Sequence, residues 1–493
     1  MQYADLVSRP RSSLHSSPAR DVPGGVGPPR NTPGMPSSAR LAGAADCLPN
    51  NVTNSSDGAP VPARRWVRLA TPVLALGLVV TAHAQSPESP RLTGEVTGEG
   101  FTRIRIAVPE PDAPESARQV AVDIARTVRA DLEFSGFFDV VDPSLYELIP
   151  QSPPDAVPHE DWESINADAV VISRLTVTDD RIDLQAWLHD TPSRSVLFGR
   201  RYGGTTDLLR RIAHQLSDDL VRQYTGRPGV ALTRIAFVSR HAGGSEVYLM
   251  DYDGQRVRRL TTTGTINLSP AWSPEANRLA FVSWREKRPD IYFMDSAGTL
   301  TKTPVVVGEL NAAPDWSPDG DRIVYSSDAA GNSDLYVLDL TTGRNTRLTR
   351  TAAIETAPAY APNGREIAFT SDRSGSPQIY VMDAEGLNTR RLSFKGSYNE
   401  SAAWSPRGDR MAYASRIDDW FQIALLDLTT GEITLLTHGP YHNENPRWSP
   451  DGRHIVFSSN RSGSYDIYTM AADGTDVRRL TRGTNSITPD WSR

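Results

Sequence analysis

His438, His442 and His454 are the densest group of side chains able to hold a metal or move a proton. Two imidazoles four residues apart share a face on a helix and can grip one ion. These three stand among strand and turn signals, where that spacing confers no common face, so they read as loop or surface histidines. Asp251-Tyr252-Asp253-Gly254 sets carboxylates beside glycine. It lacks the alternating carboxylates and closing glutamate of a calcium loop, and reads as a hairpin turn. No Gly-x-Ser-x-Gly elbow and no glycine-rich phosphate loop occurs. The one cysteine, Cys47, precedes the processing site described below, so a mature chain has no thiol for a disulfide, a metal or a nucleophile. The net charge is −7 over 493 residues. The pairs Arg258-Arg259, Arg390-Arg391 and Arg478-Arg479 recur at one repeat register, decorating surfaces rather than building a basic face for nucleic acid. These residue types point to binding rather than catalysis, with no cofactor or metal expected.

The elements that would position a binding site are repeats. Trp272, Trp316, Tyr360, Trp404, Trp448 and Trp491 follow one another at intervals of 44, 44, 44, 44 and 43 residues. Around them stand Pro314-Asp315-Trp316-Ser317-Pro318-Asp319-Gly320 and its variants. Tyr248, Tyr292, Tyr336, Tyr380 and Tyr468 keep the same period, with Ala424 the exception; Leu260, Leu348, Leu392, Leu436 and Leu480 form a third register, broken at Pro304. Each unit reads as four short strands: one after the Pro-Asp-Gly turn, one carrying the tyrosine, one ending in Arg-Leu-Thr, and a short one reaching the next tryptophan. Four strands per ~40–45 residues is propeller-blade spacing. The first unit, at Arg234-Ile235-Ala236-Phe237-Val238, lacks a preceding Trp-Ser-Pro, and the last stops after Trp491-Ser492-Arg493. Each supplies what the other lacks, so the two ends complete one blade and close a six-bladed ring. The aromatics are expected between blades.

Asn267, Asn311, Glu355, Asn399 and Asn443 each stand five residues before the aromatic, so repeat symmetry gathers them at one channel mouth. Thr356, Glu400, His442 and Glu444 adjoin them. Such a polar ring either binds a partner or caps strand ends and binds water.

Ahead of the repeats, residues 98–228 read as an α/β domain. Val120, Ile124, Val128 and Leu132 recur on one helical face and Leu209, Ile212, Leu216 and Leu220 on another, with strands between them. The whole is an α+β chain: this α/β domain, then a six-bladed β-propeller over 232–493. Upstream, residues 64–84 carry Arg64, Arg65 and Arg68, an apolar run too short to span a bilayer, and Ala82-His83-Ala84. They read as a signal peptide cleaved between Ala84 and Gln85. Residues 1–63 are either a disordered leader or lie before the true translation start. Residues 85–97 read as a mobile arm.

An exported α/β domain, a six-bladed Trp-Ser-Pro-Asp-Gly propeller, the Arg-Ile-Ala-Phe-Val entry strand and Asp-Tyr-Asp-Gly together resemble the TolB family of the Tol–Pal system, from about Phe101 to Arg493. The resemblance implies a monomeric periplasmic scaffold that supports outer-membrane integrity and constriction at cell division. It implies binding of the peptidoglycan-associated lipoprotein Pal through propeller loops that often read His-Asn-Glu-x-Pro. His442-Asn443-Glu444-Asn445-Pro446 matches in full, and the segments at Asn311, at Glu355-Thr356 and at Asn399-Glu400 match in part. It further implies TolA binding through the arm, at Gln85, Leu92, Glu95 and Val96, contacts with other Tol–Pal envelope proteins, and an arm that switches the propeller between partners. Trp-Ser-Pro-Asp-Gly blades also occur in peptidases, and rings of this kind serve lactonases and lyases. An enzyme with a channel site is therefore the alternative, and inward carboxylates or histidines around a metal would mark it.

Overall fold

The structure is a computed structural model and describes residues 102–150, 152–305 and 307–493. The leader, the signal segment with Ala84, and the arm with Gln85, Leu92, Glu95 and Val96 lie outside the described residues. Among the described residues no helix is long and apolar enough to cross a membrane.

The first domain runs β1 (Ile104–Ala107), α1 (Arg118–Ser135), β2 (Phe138–Val140), α2 (His159–Ser164), β3 (Ala169–Thr178), β4 (Arg181–Asp190), β5 (Ser195–Thr205) and α3 (Leu209–Thr225). Its sheet has the order β2-β1-β3-β4-β5, parallel on both sides of β1 and antiparallel beyond β3. The expected stripes meet on one face of it: Ile124, Val128 and Leu132 of α1 and Ile212, Leu216 and Leu220 of α3 share a core with Ile106, Leu184 and Leu188. Both helices stop at a left-handed glycine, Gly136 (φ 69°) and Gly226 (φ 74°), a conformation that carries no Cβ penalty there. Helix α2 escapes sequence reading because Trp162 alone of its six residues is buried, which leaves no periodicity.

Six four-stranded antiparallel sheets follow. The grouping differs from the sequence reading in one respect. The strand that reaches the tryptophan opens a blade instead of ending one, and these strands neighbour one another around the ring. They are Asn267–Trp272, Asn311–Trp316, Glu355–Tyr360, Asn399–Trp404, Asn443–Trp448 and Ser486–Trp491. The last pairs with Arg234–His241, Trp491 opposite Ile235, so the first blade is closed by both ends of the array. Each innermost strand bulges at its third residue, Ser269, Ala313, Ala357, Ser401, Asn445 and Thr488, all with φ between 45° and 57°. Five of these six precede the repeat's first proline, which sits where the ladder is already interrupted.

The aromatics seal blade to blade as expected. The indoles of Trp316, Trp404 and Trp448 donate to the carbonyls of Ala271, Ala359 and Ala403, each in the preceding blade, at 3.0–3.2 Å. The arginine pairs divide their roles, contrary to a purely decorative reading. In two of the three the second member is a clamp: Arg259 and Arg479 hold Glu246 and Asp466, as the unpaired Arg347 at the same register holds Asp334, carboxylates whose side chains are 0 % exposed. A buried charge persists only when paired in this way.

Helices α1 and α3 pack on the end of the ring where the tryptophans lie. Phe134 joins Phe237, Val456, Ile467 and Trp491 in one core. The Arg453 guanidinium donates to the carbonyls of Ser135 and Gly136, both at 3.1 Å. Asp131 accepts from the Tyr252 hydroxyl at 2.5 Å, from Ser217 at 2.7 Å, and faces His214 Nδ1 at 2.8 Å. The domain therefore sits at this lower end of the ring, against the closing and last blades, and leaves the opposite, upper mouth clear.

Candidate partner-binding mouth

The innermost strands begin at the upper mouth, and there the structure places Asn267, Asn311, Glu355, Asn399 and Asn443. All five are 0 % exposed. The bulge two residues on lets the head of each strand turn into the seam between blades, where in four of the five the side chain meets a residue at the upper end of the preceding blade's third strand. Asn267 Nδ2 donates to Glu246 at 3.0 Å, Asn311 to Asp290 at 3.0 Å, Asn399 to Gln378 at 2.7 Å and Asn443 to Gln422 at 2.8 Å. Glu355 pairs with Arg373, and Asn443 Oδ1 accepts from Arg461 at 2.8 Å. The register thus forms inter-blade struts. Thr356 is buried as well, 3.3 Å from Ser326 Oγ.

Glu400, His442 and Glu444 form the more accessible part of the predicted set. Glu400 and His442 are partly exposed, and Glu444 is buried at the edge. The His442 N–H donates to Asn460 at 2.8 Å, its ring lies 5.0 Å from that of Trp420, and its Nδ1 is 3.7 Å from the Glu444 carboxylate. Burial and the Glu444 carboxylate beside it push the Tyr465 phenol above its ordinary range.

Around these residues the ring is asymmetric in a way the repeat hides. The hairpins Arg234–His241/Gly244–Asp251 and Arg410–Ile417/Trp420–Asp427 use eight-residue strands, whereas the corresponding hairpins of the other four blades use six. The two taller hairpins flank the blade of His442–Glu444 and wall a notch over it. Aromatic groups line the notch: Tyr398 stacks edge-on against Phe421 at 5.3 Å, and Trp420 and Tyr441 are partly exposed. Sequence reading passes over Trp420, Tyr398, Tyr441 and Tyr465 because they fall outside the shared registers. The available signal was a departure from the repeat. Arg416-Ile417-Asp418-Asp419-Trp420 lacks the glycine that Gly331, Gly375 and Gly463 supply in sister turns.

Among the described residues no group of three or more metal-ligating side chains converges. Aromatic residues with a few charges on a rigid rim are the composition of a protein-binding hot spot.

The sequence matches the family described as the TolB beta propeller domain over residues 221–492 and the TolB amino-terminal domain over 92–197. It is 37 % identical to the Tol-Pal system protein TolB of Geobacter sulfurreducens over 212 residues, 43 % of this chain and 49 % of that one. It is 34 % identical to the same-named protein of a Ruegeria species over 214 residues, 42 % of this chain and 48 % of that one. The chain spans about half the length of these curated relatives. The fold is similar to the crystal structure of TolB from Acinetobacter baumannii, with a TM-score of 0.69 and 28 % identity, covering 79 % of this chain and 97 % of that one. The chain belongs to the TolB family.

Proposed function

We propose that this chain is a periplasmic protein-binding scaffold of the Tol–Pal system, seizing the peptidoglycan-associated lipoprotein Pal at the upper mouth. The observation that carries this reading is the notch over the His442-Asn443-Glu444 blade, aromatic-lined, walled by two taller hairpins and left clear by the α/β domain. Family membership supports the partner's identity, and the export signal read in residues 64–84 supports the compartment. The arm, with Gln85, Leu92, Glu95 and Val96, binds TolA in this reading. The lipoprotein grip at one mouth and the arm at the other end of the chain let one molecule serve constriction of the outer membrane at division. Partner contact falls on Glu400, His442 and Glu444, with Trp420, Tyr398 and Tyr441 beside them. The ring of Asn267, Asn311, Glu355, Thr356, Asn399 and Asn443 holds the blades that present them.

Immobilised chain should retain the soluble domain of a peptidoglycan-associated lipoprotein, and Trp420→Ala should weaken retention about tenfold or more. A folded chain that retains no such lipoprotein would overturn the reading.

A further inference from the structure

A second surface lies at the other end of the molecule. Between α3, the segment 225–229 and the lower turns of the last two blades runs a cleft of about 1380 Å³. Small-molecule sites rarely exceed ~1,000 Å³, so this volume suits a length of polymer.

The carboxylates of the cleft are engaged. Asp218 accepts the backbone N–H groups of Ala231 at 2.9 Å and Leu232 at 3.2 Å. Asp219 accepts from Tyr202 and faces Arg200 at 3.3 Å. Asp409 accepts from Ser405, and Asp451 from Ser449 and the Arg453 N–H. The guanidinium groups of Arg222, Arg227 and Arg407 line the same cleft, are exposed, and have no hydrogen-bond or ion-pair partner among the described residues.

Arg407 breaks the repeat. The residue after the turn proline is Glu275, Asp319, Asn363 and Asp451 in the sister blades. There Asp319 and Asp451 tie the turn by accepting from Ser317 and Ser449. In this blade Asp409 has taken over that bond at 2.5 Å, and the vacated position carries a cation aimed at the cleft. A local rule broken without structural gain marks a site under another demand. Guanidinium forks suit carboxylates, and Val221, Pro228, Leu232, Pro406 and Pro450 offer apolar ground between them.

We propose that this cleft takes an extended acidic peptide segment of a second protein, its carboxylates meeting Arg222, Arg227 and Arg407. The site is separate from the upper mouth and does not depend on the partner assigned there.

The probe is a fluorescein-labelled peptide of roughly eight residues alternating glutamate with leucine and serine, titrated into the full chain by fluorescence polarisation. Binding should weaken with added salt. It should fall about tenfold in Arg407→Asp, which restores the repeat's acidic turn and should leave Tm equal or higher, and fall further in Arg222→Gln/Arg227→Gln. Unchanged affinity in both variants overturns the proposal. So does arginine-dependent binding of phosphatidylglycerol vesicles with none of the peptide, which would assign the cleft to lipid. Peptide binding seen only after residues 85–97 are removed also overturns it, because the cleft would then belong to the chain's own arm.

Discussion

The ring of Phe134, in the last turn of α1, lies flat on the imidazole of His454, with centroids 4.0 Å apart and planes 11° from parallel. One helix end is thereby driven into the seam where Trp491 closes the ring, 6.4 Å from the same phenyl group. Phe134→Ala should cost about 3–5 kcal/mol, the usual loss for emptying a buried aromatic site. Urea unfolding followed by tryptophan fluorescence measures it. A loss under about 1 kcal/mol would mean that the helix merely rests on the ring.

His454 also sets a pH dependence. Burial holds its imidazole below the ordinary range, so the unfolded chain takes up a proton that the folded chain refuses. Stability should therefore fall as pH drops below about 6.5. Asp218 acts in the opposite sense: burial pushes its carboxyl up to about 6, so its contribution is present at low pH and lost as pH rises through that value. Chemical denaturation between pH 5 and 7.5 should show a smaller acid loss in His454→Gln, and an unaltered slope would contradict the assignment.

The indole hydrogen bonds between blades predict an unequal pair of substitutions. Trp448→Phe takes the indole donor from the Ala403 carbonyl and should lower stability by about 0.5–1.5 kcal/mol. Trp272→Phe removes a buried Nε1 that has no hydrogen-bond partner among the described residues, and should cost less. Equal Tm shifts in the two would show that packing alone matters at this register.

Stability and binding should separate at the upper mouth. Asn399→Ala takes the amide donor from the Lys395 carbonyl and one of two donors from Gln378 Oε1, which Ser393 Oγ still reaches, and should lower stability by about 1–3 kcal/mol. Trp420→Ala removes a partly exposed ring and should leave Tm within a degree or so while weakening the lipoprotein about tenfold or more. Calorimetry on both variants checks the contrast, and the reverse pattern would exchange the roles given to them.

The ring was legible from Trp272 to Trp491 because a blade's geometry repeats and its aromatics must meet the neighbouring blade. Closure was legible from the complementary ends at Arg234 and Trp491. The polar register was located correctly at one mouth, but the burial of Asn267 and its relatives was not foreseen. That burial depends on the left-handed bulge at Ser269 and its equivalents, where non-glycine residues adopt a conformation that composition does not announce. Helix α2, with a single buried tryptophan, left no pattern at all. Trp420 and Arg407 were readable only as departures from a repeat, and their meaning appears once the two taller hairpins and the cleft give them surroundings.

The upper mouth, above the His442–Glu444 blade, is proposed to grip a lipoprotein partner. Amide hydrogen exchange of the chain with and without the soluble domain of a peptidoglycan-associated lipoprotein tests it most directly. New protection should fall on the loops around Glu400, Trp420, His442 and Tyr465 and leave α1 and α3 unchanged. Protection concentrated on the α/β domain, with those loops exchanging as before, would contradict it.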